Sequence, residues 1–145
     1  MYHRLLVHIV WTTRDRGPTI DQARAAYLWE HLPIIARQER ARILELGIVA
    51  THVHLLLRLH PSKVIPRLLQ RMKGGTANAI NRHERSGAPA LRWAKGYSIT
   101  SVSPRNQESA ATYIRRQPKH HPDDAIPGWN GGGPVASATS AEPRL

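Results

Sequence analysis

The stretch ARILELGIVATHVHLLLRLH, residues 41–60, decides the fold. ARILELGIVAT and HVHLLLRLH both read as apolar strands with almost no turn between them, which predicts a hairpin or a tightly connected pair. The second strand opens with two histidines one residue apart. Alternate residues of a strand share a face, so His52 and His54 point the same way. Either the pair is tolerated at a frayed strand start, or it holds something between its rings.

Upstream, HRLLVHIVWTT is an apolar, β-branched strand ended by the charged turn RDRGP. Asp21 is placed to cap the helix DQARAAYLWEHL, whose Leu28, Leu32 and Ile35 fall on one face, while Pro33 should kink or split it. Downstream, Ser62 is placed to cap a long helix with Val64, Leu68, Met72, Thr76 and Ile80 on one side. Gly74 and Gly75 either break this helix or let its backbone approach a ligand beside Lys73. GYSITSVS alternates as a fourth strand. Ser103 and Pro104 then open the helix RNQESAATYIRRQ, which should end at Pro118. The order β-α-β-β-α-β-α predicts an α+β fold. It is ferredoxin-like or RRM-like, an antiparallel sheet with helices mainly on one face.

The chain has 145 residues, enough for one domain. That domain is expected over residues 1–130, and GGGPVASATSAEPRL (131–145) should be a disordered tail. Lysine and arginine number 21 against 10 acidic residues, a formal charge of +11 spread from Arg4 to Arg116. A polyanion, nucleic acid above all, is the partner such a face implies. With no cysteine, disulfides and thiolate metal sites are excluded. The apolar N-terminus lacks a signal-peptide cleavage site and is far short of a membrane span, so a cytoplasmic protein is expected.

Two features carry chemistry. Same-face imidazoles can converge on one cation. In TYIRRQ, Tyr113 and Gln117 lie one helical turn apart. Tyrosine can form a covalent intermediate, and a glutamine carbonyl can ligate a divalent metal. The plainer alternative makes Tyr113 a half-buried aromatic and Gln117 a helix-end polar residue.

Taken together and in order, HRLLVHIVWTTRDR, THVHLLLRL, RMKGG, WAKGY, SVS and YIRRQPKHH resemble the single-tyrosine HUH transposases. The REP-associated tyrosine transposases are the most similar branch. The resemblance spans His3 to His121. It implies His52, His54 and Gln117 as ligands of Mg²⁺ or Mn²⁺, and Tyr113 as the nucleophile on single-stranded or hairpin DNA, leaving a 5′-phosphotyrosine and a free 3′ hydroxyl. Ligand softness alone would favour zinc. It also implies a homodimer. Arg14, Arg16, Lys63, Arg67, Arg71, Lys73, Lys95 and Arg115 are candidate phosphate contacts. Trp93 and Tyr97 either stack on bases or belong to the core. The roles of His120 and His121 stay open. The residue before the first histidine is often acidic in relatives and is Thr51 here. Two alternatives remain: a retired transposase that only binds hairpins, and a nuclease in which water attacks.

Overall fold

A computed structural model describes residues 5–84, 87–131, 133 and 135. Its elements are β1 (Leu5–Thr12), α1 (Gln22–Gln38), β2 (Ala41–Ile48), β3 (His52–Leu59), α2 (Ile65–His83), β4 (Ser98–Val102), α3 (Gln107–Arg115) and α4 (Gln117–His120), with short 3₁₀ turns between. The four strands form one antiparallel sheet in the order β2-β3-β1-β4. The predicted α+β order is therefore the observed one, with β2 and β3 as a hairpin.

The sheet has two different faces. Ile9, Trp11, Val53, Leu55 and Leu57 point to one side and pack with Leu28 and Leu32 of α1 and Leu68 and Met72 of α2. Alternation sends Leu6, His8, His52, His54 and Leu56 to the other side, where α3 lies against β2 and β3. In β2 the alternation is interrupted: Ile43 faces Leu57, but Glu45 already faces Leu56, so Leu44 is an extra residue. This bulge puts Glu45 and Gly47 on the α3 side.

Several local expectations change. Asp21 caps α1, accepting from the Arg24 amide at 2.9 Å, yet Pro33 sits buried inside an unbroken helix. Ser62 does not cap α2. It turns back onto His60, whose Nδ1 accepts from the Ser62 amide at 3.1 Å, and the helix starts behind an uncapped Val64 with Pro66 in its first turn. Val64 is accordingly exposed. Gly74 and Gly75 leave α2 continuous, because Leu68, Met72, Thr76 and Ile80 are buried on both sides of them. The tyrosine helix ends at Arg115, before Pro118, which instead lies in the first turn of α4. Val135 is buried with the core, and 136–145 lie outside the described residues.

Candidate active site

Four elements converge on the α3 side of the sheet. His52 and His54 come from β3, His8 from β1, and Tyr113 and Gln117 from α3 and α4. His52 and His54 are 3% and 6% exposed, with ring centroids 4.9 Å apart. A frayed strand start would leave them wet, and burial argues against that alternative.

Each imidazole is held through Nδ1. The Thr51 hydroxyl lies 2.9 Å from His52 Nδ1, and His8 Nε2 lies 2.8 Å from His54 Nδ1. His52 is thus held by the hydroxyl of the residue before it. Gln117 is fully buried at the start of α4, one residue past the kink at Arg116. Its amide Nε2 donates to the Tyr113 carbonyl at 3.3 Å, which aims Oε1 at His52 Nε2, also 3.3 Å away. Adjacent ligands of an octahedral cation with bonds near 2.1 Å stand about 3 Å apart, so this spacing fits a shared ion. Two imidazoles and a neutral amide oxygen form the donor set. Among the described residues no group of three His, Asp or Glu side chains is arranged to hold a metal.

Burial pushes the imidazoles of His8, His52 and His54 below their ordinary range. For His54, burial and then the neighbouring His52 and His8 take it down to about 3. All three are therefore neutral near pH 7, the form that ligates metal.

Tyr113 is the exposed member, at 42%. Its ring stands edge-on to His54 at 5.9 Å and to His8 at 6.2 Å, and stacks on His120 at 4.9 Å. His121 lies edge-on to His52 at 5.1 Å, and its amide donates to the Gln117 carbonyl. The close approach of α3 depends on Gly47: a Cβ there would lie 2.1 Å from the Ile114 carbonyl oxygen and 3.1 Å from Gln117 Cγ. Neither His8 nor Gly47 was singled out from the sequence as a site residue. His8 carries a readable signal, a polar side chain in an apolar strand at the alternation of the site face, but pairing it with His54 needs the register of β1 on β3.

The candidate phosphate contacts separate into three places. Arg14, Lys73 and Lys95 line a cleft of about 950 Å³ with Gly74, Arg92 and Trp93. Arg14 adjoins Thr13, whose amide donates to the Thr51 carbonyl, so the cleft borders the histidine end of the sheet. The Lys73 amine donates to the carbonyls of Ala94 and Gly96, and burial lowers its pKa. Arg16 is exposed on the same turn as Arg14. Lys63, Arg67 and Arg71 instead converge on Glu39 near the far end of β3, at 2.8, 3.2 and 2.8 Å. Arg115 pairs with Glu45 on the site face at 3.1 Å. Trp93 packs edge-on to Trp11 and donates to the Lys73 carbonyl, and with Tyr97 it lies against the core.

The sequence model of the family described as "Transposase IS200 like" matches residues 1–117. The chain belongs to that family. This IS200-like transposase is 27% identical over 123 residues to the ISDra2 transposase TnpA of Deinococcus radiodurans, covering 79% of this chain and 85% of that protein. A crystal structure of a candidate transposase from Deinococcus radiodurans superposes with a TM-score of 0.61 at 26% identity, over 81% of this chain and 93% of that one. A REP-associated tyrosine transposase bound to a REP hairpin shares the fold, with a TM-score of 0.65 at 14% identity over 83% and 71% of the two chains. No helix among the described residues is long and apolar enough to cross a membrane.

Proposed function

We propose that this transposase is a metal-dependent enzyme that cleaves and rejoins single-stranded hairpin DNA through a covalent 5′-phosphotyrosine, with Tyr113 as nucleophile. The observation that carries this reading is the convergence of Tyr113 with His52, His54 and Gln117 from separate elements. Mg²⁺ or Mn²⁺ held by the two histidines and Gln117 Oε1 would offset charge developing on the phosphate oxygens. The Tyr113 oxygen attacks phosphorus as its proton passes to solvent, and the bond to the 3′ oxygen breaks, that oxygen taking a proton from solvent to give a free 3′ hydroxyl. Rejoining reverses these steps, so no external energy source is required.

Arg14, Arg16, Lys73 and Lys95 beside the histidine end would steer the DNA backbone towards the site. Lys63, Arg67, Arg71 and Arg115, each already paired with a carboxylate, would add less. The working form would be a homodimer. The edge strand β4, exposed at every residue but Val102, offers a backbone edge for pairing.

Labelled hairpin DNA run on a denaturing gel tests the reading. A slow, protease-sensitive adduct should form with wild type and Mg²⁺ or Mn²⁺, and should vanish with chelator or in Tyr113→Phe. Cleavage that persists in Tyr113→Phe would mean that water attacks. Native-gel binding without any adduct would mean a retired transposase.

A further inference from the structure

We propose that His8 is a positioning residue for His54: it accepts a hydrogen bond from His54 Nδ1–H and so leaves His54 Nε2 unprotonated and aimed at the cation. This rests on the reading of His54 as a metal ligand. In the antiparallel register His54 faces Val10 of β1, which makes His8 its diagonal neighbour on the same face. The rings lie 5.1 Å apart, inclined by 29°, with His8 Nε2 at 2.8 Å from His54 Nδ1.

One proton must lie between these two nitrogens, and its owner decides what the other nitrogen of His54 can do. If His8 Nε2 donated, a neutral His54 would carry its proton on Nε2 and could not ligate through it. If His54 Nδ1 donates, the Nε2 lone pair is free. His52 is arranged in parallel, with Nδ1 against the Thr51 hydroxyl and Nε2 towards Gln117 Oε1. Both imidazoles thus engage Nδ1 with a neighbouring side chain, and their rings lie 4.9 Å apart. A partner on the second ring nitrogen is the usual way a protein fixes the tautomer and orientation of a ligating histidine. His8 supplies that partner from a different strand, where Thr51 supplies it from the adjacent residue.

The test uses ¹⁵N-histidine NMR on metal-free protein at pH 7.5, followed by Mn²⁺ titration, for wild type, His8→Ala and His8→Gln. Thermal unfolding of each protein checks that it is folded. Wild-type His54 should show the Nδ1–H tautomer. His8→Ala should show a mixture, with Mn²⁺ bound roughly 10- to 100-fold more weakly. His8→Gln, whose amide oxygen can accept the same bond, should recover most of both. An Nε2–H tautomer in wild-type His54 overturns the proposal. So does Mn²⁺ affinity that is the same in wild type and His8→Ala. Wild-type protein that binds no Mn²⁺ removes the ligand reading itself, and this inference with it.

Discussion

Replacing Gly47 by alanine puts a methyl group where the tyrosine helix now lies. The added carbon would stand 2.1 Å from the Ile114 carbonyl oxygen and 3.1 Å from Gln117 Cγ, whereas ordinary contact begins near 3.4 Å. Helix α3 must therefore retreat by about 1.3 Å, since β2 is fixed by its pairing with β3. The fold should absorb this at the cost of an overpacked contact, about 1–3 kcal/mol. Tyr113 moves with α3, and Gln117 at the start of α4 is pushed with it, so the proposed nucleophile and a proposed ligand are both displaced. A displacement of this size should slow adduct formation about 100-fold. Single-turnover adduct formation on a denaturing gel, alongside thermal unfolding and native-gel binding of hairpin DNA, reads these effects separately. A folded Gly47→Ala protein that forms adduct at the wild-type rate would refute the reasoning. The packing of α3 on its own β2 would then not be the arrangement that reacts.

Gly74→Ala should stabilise the protein by about 0.5–1 kcal/mol in chemical denaturation. Gly74 lies inside α2 with nothing within 4 Å of a new Cβ. If Gly74 is bare because DNA backbone passes close by, the same variant will bind hairpin DNA more weakly, and unchanged affinity would dismiss that role. Stability should fall as pH drops from 6.5 to 5. The unfolded chain protonates histidines near 6.5, whereas His8, His52 and His54 resist protonation in the fold, His54 down to about 3. The unfolded state therefore binds more protons in this window, and acidification favours it. Denaturation midpoints that hold or rise over that range in metal-free protein would contradict the burial of these rings as neutral groups.

The hairpin, the element order and the shared face of His52 and His54 were legible because each rests on local alternation. So was the Asp21 cap, a contact across three residues. What was not legible depends on partners distant in the chain. Pro33 and the pair Gly74–Gly75 look like helix breakers from local propensity, but buried neighbours on both sides hold each helix together. Ser62 has the composition of a cap, yet its hydroxyl is engaged by His60 Nδ1 at 2.6 Å, and the helix starts only after Val64. The sequence pattern puts Tyr113 and Gln117 on one continuous helix. They lie instead on two, joined across Arg116 by the bond from the Gln117 amide to the Tyr113 carbonyl. Lys63, Arg67 and Arg71 look like free cations until Glu39, the residue just after α1, is brought beneath them.

The extra residue at Leu44 gives β2 something like a reading frame. A strand is read in steps of two, and a bulge absorbs one residue so that the frame beyond it is kept. Deleting Leu44 would only straighten the strand, leaving Leu46 opposite Leu55 and Gly47 opposite His54. Were Leu44 instead drawn into regular pairing, Gly47 would turn towards the core and Leu46 towards the tyrosine helix, replacing a gap with an isobutyl group. The bulge is thus inherited as part of the site. A second residue inserted beside Leu44, which the bulge does not absorb, should be far less tolerable than most substitutions along the same strand.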